Sequence, residues 1–144
     1  MMTPEQLDNW FTYHPPTEET TPKYAAIRAA EEAAHVAIAH VKAGRVWDAD
    51  VANIVIPSDP AAYRRLGFAY VNEVCKTLAM TIDANAPDSA DKTAAIRCVR
   101  IARNCANEAI SLTLGADVFL WTQAQEQLRI ARFQANSAIA CGGK

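Results

Sequence analysis

The chain has few glycines and no glycine-rich loop. It holds five glycines in 144 residues, and two of them, Gly142 and Gly143, stand together at the C-terminal end. A loop that cradles phosphates with its backbone amides needs several glycines close together. The sequence contains no Walker loop, no Gly-x-Gly-x-x-Gly and no Gly-x-Ser-x-Gly. We therefore expect a protein that is not an enzyme and carries no cofactor.

The chain also lacks a surplus of positive charge and a long apolar run. Its net charge is −2 and its isoelectric point is about 5.9, whereas proteins that bind duplex nucleic acid usually carry a basic surplus. A small anionic ligand needs only a local cluster of cations and stays possible. No apolar run approaches the ~20 residues of a membrane span, and the polar N-terminus is unlike a signal peptide. We expect a cytoplasmic protein that binds neither duplex nucleic acid nor a membrane.

Metal and redox motifs are missing as well. The four cysteines, at positions 75, 98, 105 and 141, have spacings that fit no zinc or redox site, so we interpret them as buried free thiols. Glu32 and His35 have the Glu-x-x-His spacing of di-iron bundles, but no second copy of this motif exists. We predict instead a solvated ion pair between Glu31 or Glu32 and His35.

Alanine is abundant, with 29 copies, and it favours helices because it loses no side-chain entropy there. The sequence therefore predicts an all-α protein, a helical hairpin or bundle of about four helices, in a single domain that covers residues 1–144. Residues 1–21 are predicted to be an extended arm because Pro15 and Pro16 forbid helix. Residues 45–60 are predicted to be an irregular excursion between helices. The four predicted helices run from Thr21 to Gly44, from Pro60 to Asn85, from Asp88 or Ser89 to Gly115, and from a start between Asp117 and Thr122 to about Ala140.

Two helical segments repeat each other. Residues 100–111 match residues 129–140 at eight of twelve positions, with an offset of 29. Either alanine-rich helices converged, or one helix was duplicated and packs in equivalent environments. The third helix is also predicted to bury a narrow seam of small residues: Ala95, Val99, Ala102, Ala106 and Ala109.

The arm concentrates aromatic rings. Trp10, Phe11, Tyr13 and His14 lie within five residues of one another. We predict that Trp10 and Phe11 pack into the helices as a hydrophobic latch. The polar tips of Tyr13 and His14 favour partly exposed positions, where their rings can stack on nucleobases. Cations follow closely at Lys23 and Arg28, so the region suits a small nucleotide ligand.

Three stretches of the sequence together resemble a known family. They are residues 8–17 (DNWFTYHPPT), residues 24–30 (YAAIRAA) and residues 87–97 (PDSADKTAAIR). In these stretches the chain resembles the phage anti-CBASS cyclic-nucleotide sponge family, whose helical hairpin is shared with Thoeris anti-defence proteins. The resemblance implies a homohexamer in the host cytoplasm that sequesters cyclic di- and trinucleotide immune signals without hydrolysing them. Compared with the family's hairpin, this chain carries an additional segment at about residues 42–85.

The resemblance also implies a set of binding residues. Tyr13 would stack on a base, and Arg28 would contact phosphate, with Lys23 as the alternative. Thr93 and Arg97 fall on the matching hairpin turn and helix. With His14 from the aromatic arm, the predicted ligand-binding residues are Tyr13, His14, Lys23, Arg28, Thr93 and Arg97.

A second class of function remains open. A helical adaptor or inhibitor would bind a host protein through an exposed face, and the apolar stretch Val51–Ile56 would be the contact. A metal-binding enzyme of the di-iron type is a third, weaker hypothesis, because only one Glu-x-x-His is present.

We predict a homo-oligomer, with six copies as the expected number. A chain with so few large side chains gains stability by burying alanine-rich faces between copies. Multi-angle light scattering at micromolar concentration should give a mass several times the 15.7 kDa of one chain. A monomer mass would contradict the prediction.

Overall fold

The computed structural model describes residues 1–112 and 118–142. Within these residues the chain forms five α-helices and one two-stranded sheet. In chain order the elements are α1 (Pro4–Phe11), α2 (Thr21–Lys42), β1 (Val46–Asp48), β2 (Asn53–Val55), α3 (Pro60–Asn85), α4 (Ala90–Ser111) and α5 (Val118–Ala140).

The four long helices, α2 to α5, pack as a bundle. Each contacts its neighbours in the chain, and α2 also contacts α5, so the helices close into a ring around one core. The connection between α3 and α4 has only four residues, 86–89, which makes these two helices antiparallel neighbours. The prediction of a mainly helical protein is confirmed. None of the helices in the described ranges is long and apolar enough to cross a membrane.

Local sequence signals set the ends of these helices. The side chain of Asp59 accepts a hydrogen bond from Ala62 N at 2.8 Å, and that of Ser89 accepts one from Lys92 N at 3.1 Å. Both are standard N-caps, which satisfy amides that the first helical turn leaves unpaired. Gly44 follows α2 with φ at 82°, a left-handed conformation that glycine adopts without a penalty. The N-cap of α2 is Thr20, one residue before the predicted Thr21. The predicted helix end at Gly115 lies outside the described residues.

The core is built largely from small side chains. All five residues of the predicted α4 seam are buried, and the large fully buried side chains include Ile38, Leu78, Trp121 and Leu128. The alanine seam is covered by other helices of the same copy. It therefore offers no surface to a second copy, and the predicted oligomer has to use other faces.

The internal repeat is reproduced in the packing. Ala102 and Ala106 of α4 are fully buried, and so are Ala131 and Ala135, the residues 29 positions later in α5. The pairs Ala109–Ala138 and Ile110–Ile139 are buried in the same way. The apolar faces of the two segments are thus buried alike.

The interpretation of residues 45–60 as irregular is wrong. Val46 pairs with Val55 and Asp48 with Asn53 in an antiparallel hairpin. The tight turn between the strands includes Ala52 at φ 50°. The second strand was visible in the sequence as an apolar stretch. Its partner was not, because only three residues pair on each side and strands this short carry little pattern.

The prediction of an extended arm over residues 1–21 is wrong in its first half. Residues 4–11 form α1, which begins with a complete capping box: Gln6 N donates to Thr3 Oγ1 at 3.1 Å, and Thr3 N donates to Gln6 Oε1 at 2.8 Å. Pro4 stands at the first helical position, where proline is favoured. Pro15 and Pro16 exclude helix only around themselves, and residues 12–16 are indeed non-helical.

A buried tyrosine links α2 to α3 and generates a stability prediction. The hydroxyl of Tyr63 donates to the carbonyl of Val41 at 2.8 Å, and both residues are buried. Replacing Tyr63 by Phe removes this hydrogen bond, while the Val41 carbonyl keeps the one that Gly44 N donates at 3.0 Å, so the free energy of unfolding should fall by about 0.5–1.5 kcal/mol. Urea denaturation monitored by circular dichroism measures the change.

The matched control is Tyr13→Phe. Because 81% of Tyr13 is exposed, removing its hydroxyl removes only hydrogen bonds to water. That variant should stay within about 0.5 kcal/mol of the parent.

Burial raises the pKa of Tyr63 to about 12, above the ~10 of an unfolded tyrosine. Stability is therefore lost as pH rises from 10 through 12, and Tyr63→Phe should remove part of that loss. Equal unfolding midpoints for Tyr63→Phe and the parent would contradict the assignment.

Candidate ligand-binding groove

An open groove lies at one end of the bundle, where the N-terminal segment, the start of α2 and the end of α5 meet. Its volume is about 610 Å³, within the usual range for small-molecule sites. We call it the aromatic groove. It is lined by Trp10, Thr12, Tyr13, His14 and Pro16 from the N-terminal segment, by Tyr24 from α2, and by Phe133, Asn136, Ser137, Ala140 and Cys141 from the end of α5.

Polar contacts hold the N-terminal segment against the bundle. Asn9 Nδ2 donates to the carbonyl of Cys141 at 3.4 Å. His14 Nε2 donates to the carbonyl of Asn9 at 2.8 Å, which folds the segment back on α1. Thr12 Oγ1 donates to the carbonyl of Asp8 at 2.6 Å and closes the end of α1. Tyr13 is therefore placed between two anchored residues.

The rings of the groove differ in exposure. Tyr13 is 81% exposed, Phe133 59% and Trp10 41%, whereas Tyr24 is half-buried at the base. Burial raises the pKa of Tyr24, against a smaller opposing effect of its hydrogen bond to Thr20. The groove thus combines a half-buried ring, that of Tyr24, with more exposed rings along its walls.

The prediction of a hydrophobic latch formed by Trp10 and Phe11 is wrong. Phe11 is 86% exposed and α1 has no buried residue. Trp10 is partly covered, but it lines the groove rather than the core. The helical conformation of residues 4–11 explains the difference, because a helix places Trp10 and Phe11 on different faces.

A charged network lies between α2 and α5 beside the groove. Glu31 is only 5% exposed. Its Oε2 lies 3.0 Å from His35 Nε2, and its Oε1 contacts Arg132 Nε. The Arg132 Nε–H makes no aligned hydrogen bond, so this second contact is an ion pair. The predicted pair of His35 therefore exists, with Glu31 rather than Glu32, but it is buried and not solvated.

This network also includes a ring of the groove. The guanidinium of Arg132 lies over the ring of Phe133, with 4.7 Å from its carbon to the ring centroid. Cation–π contact of this kind stabilises both groups and limits their rotation. Beside them, Asn136 lines the groove and has a buried Oδ1 that accepts no hydrogen bond from the described residues.

The predicted cations lie beside the aromatic groove and do not line it. Lys23 lines a neighbouring groove of about 720 Å³, which shares Ala140 and Cys141 with the aromatic groove. Its Nζ lies 3.9 Å from Glu19. Arg28 follows Tyr24 by one helical turn, is largely exposed and pairs with Glu32 at 3.7 Å. Lys23 and Arg28 therefore flank the groove.

Thr93 and Arg97 are exposed residues of the first half of α4 and do not line the groove. Thr93 Oγ1 donates to the carbonyl of Ser89 at 3.2 Å, within its own helix. Of the six predicted binding residues, the structure brings only Tyr13 and His14 together in one site.

Sequence reasoning missed Tyr24, Phe133 and Asn136 as groove residues. The spacing of Tyr24 and Ile27 favours a position on the apolar face of α2. A signal for Phe133 existed in the repeat, where a ring replaces the Asn104 of the first copy. No pattern within one segment could show that residue 133 would face residue 13.

No group of three or more His, Cys, Asp or Glu residues that could hold a metal occurs in the described ranges. The four cysteines are free, and only Cys75 is buried, so the interpretation of all four as buried is wrong for the other three.

A scan against protein-family models, a search of curated proteins and a search of solved structures each found no match to this chain.

The buried network predicts a large difference between adjacent glutamates. Glu31→Gln leaves Arg132 and His35 without their carboxylate, so the free energy of unfolding should fall by about 1–3 kcal/mol. The expected loss is smaller than for a fully buried ion pair, because the side chains of Arg132 and His35 are partly exposed. Glu32→Gln breaks only an exposed pair and should change stability by less than about 0.5 kcal/mol. Urea denaturation of both variants under the same conditions compares their stabilities. If the Glu31 variant is as stable as the Glu32 variant, the buried network does not stabilise the fold and the prediction is wrong.

Proposed function

We propose that this protein is a non-enzymatic viral sponge, assembled from several copies, that sequesters a cyclic di- or trinucleotide immune signal and so blocks host anti-phage signalling. The observation that carries the proposal is the aromatic groove, in which Tyr13 lies with Trp10, Tyr24 and Phe133. The resemblance of residues 8–17, 24–30 and 87–97 to the sponge family supplies the ligand class.

Stacking provides the attraction for the bases. An aromatic ring that stacks on a base contributes ~1–3 kcal/mol, with little dependence on which base it is. Tyr13 is largely exposed, and the anchored residues on either side of it limit the entropy that it loses on binding. A cyclic ligand with two or three bases can use more than one of the rings.

The flanking cations fit the phosphates of such a ligand. Lys23 and Arg28 are held only by surface ion pairs, 3.9 and 3.7 Å long. Exposed pairs of this kind contribute ~0–1 kcal/mol, so both side chains can exchange a carboxylate for a phosphate at little cost. A planar guanidinium can also form two parallel hydrogen bonds to phosphate oxygens.

A second candidate function is supported by the β-hairpin. Val51 is 59% exposed, Ile56 77% and Trp47 42%, which is the apolar surface that a protein-binding adaptor or inhibitor would use. This candidate predicts no small-molecule ligand, whereas the sponge requires one.

One experiment separates the two candidates. The protein is purified from cells that make cyclic nucleotides and is then denatured by heat. The sponge should release an ultraviolet-absorbing compound whose mass is that of the intact cyclic nucleotide. Release of no such compound favours the adaptor, and linear product in excess of protein would overturn the non-enzymatic proposal.

Tyr13→Ala should weaken the binding of a cyclic dinucleotide or trinucleotide about ten- to hundredfold, the loss of ~1–3 kcal/mol of stacking. Phe11→Ala is the matched control, because Phe11 is equally exposed, at 86% against 81%, and lies outside the groove. Arg28→Ala should cost about tenfold or more through its lost phosphate contact. Calorimetric titration measures all three variants. Parent-like binding by both Tyr13→Ala and Arg28→Ala would place the ligand elsewhere.

A further inference from the structure

A second groove, on the opposite flank of α4 from α5, has a lining of a different kind. It lies between α3 and α4 and has a volume of about 200 Å³. We call it the cationic groove. It is lined by Asn72, Cys75, Lys76 and Ala79 of α3 and by Ile96, Val99, Arg100 and Arg103 of α4. It shares no lining residue with the aromatic groove.

Three cations meet in this groove without a carboxylate. Lys76, Arg100 and Arg103 form no ion pair with any of the described residues. Arg103 instead donates from Nε and Nη2 to the amide oxygen of Asn104, at 3.3 and 2.9 Å. The concentration of like charge is notable in a chain whose net charge is −2. Like charges held together repel one another, and an anion between them removes that repulsion.

The acids of the same helices are engaged elsewhere. Asp83 forms an ion pair with Lys92 at 3.0 Å. Glu73 lines a separate groove with Trp47 and Tyr70, on the face of α3 that meets the hairpin. The remaining acids of these helices, Asp91 and Glu108, do not line the groove either, so no acid of α3 or α4 in the described ranges stands in the lining beside the three cations.

A neutral donor adds to the positive groups. Asn107 Nδ2 donates to Asn72 Oδ1 at 3.3 Å. This contact uses one lone pair of Asn72 Oδ1, and the Nδ2 of the same amide can donate to a ligand. Asn72, Lys76, Arg100 and Arg103 each offer hydrogen-bond donors, which are the groups that phosphate oxygens require.

The base of the groove is apolar. Val99 is 2% exposed, and Ala79 and Ile96 are half-buried beside it. An anion with a short hydrocarbon body can place its charge among the cations and its body on these side chains. We propose that the cationic groove is a binding site for a small phosphomonoester, independent of the aromatic groove and of the function proposed for it.

Monobutyl phosphate is a suitable probe, because it has one phosphate and a short aliphatic body that cannot stack on rings. Titration into the ¹⁵N-labelled full chain at low salt should give saturable shifts confined to amides of α3 and α4 around residues 72–79 and 96–103. Butanol, which lacks the charge, should give no saturable shift. Inorganic phosphate should bind more weakly than monobutyl phosphate, because it lacks the apolar body.

The variant Lys76→Gln/Arg100→Gln removes two of the three cations from exposed positions. Its affinity for monobutyl phosphate should fall at least about tenfold, because each lost cation removes a charge-assisted hydrogen bond to the phosphate. Arg65→Gln removes an exposed cation of α3 outside the groove and should bind like the parent. Tyr13→Ala should also bind like the parent, which keeps this test separate from that of the aromatic groove. Parent-like binding by the double variant, or no saturable shift with the parent, would overturn the proposal.

Discussion

Close packing of helices through small side chains is the constraint on which the rest of the molecule depends. The distance between two packed helices is set by the side chains at their contact, and alanines at equivalent places in α4 and α5 let these helices approach closely. Because the alanines take up one face of each helix, the large and charged residues of the repeat are left on the remaining faces. Phe133 reaches the aromatic groove for this reason, and Arg100 and Arg103 reach the cationic one.

Outside their shared alanine faces, the two repeated segments therefore place related side chains in two different surroundings. In the second copy Arg132 meets the buried Glu31 of α2 and lies over a ring. In the first copy the equivalent Arg103 forms no ion pair with a described carboxylate, and its guanidinium donates to the side-chain amide oxygen of Asn104. The same arginine is thus a neutralised structural group in one place and an available charge in the other. The neighbouring helix, and not the repeat itself, determines which role it takes.

The aromatic groove depends on contacts between distant parts of the chain. Asn9 and Cys141 are joined by a hydrogen bond across 132 residues, and this contact places the ring of Tyr13 near Tyr24 and Phe133. α1 has no buried residue of its own, so its position rests on a few polar contacts and partly covered rings. Such a segment is suited to adjust around a ligand, because moving it does not open the core.

The sequence by itself determined the helical class, most helix ends and the buried seam of α4. These features follow from local rules: the caps Asp59 and Ser89, the stop at Gly44 and the spacing of alanines on one helical face act within a few residues. It also contained the Thr3-x-x-Gln6 capping box, the local signal that begins α1. The tertiary structure alone decided the rest. The pairing of β1 with β2, the burial of Glu31 with Arg132, and the meeting of Tyr13 with Phe133 each join segments whose sequences carry no mark of one another, because such contacts depend on how the helices pack and not on local preference.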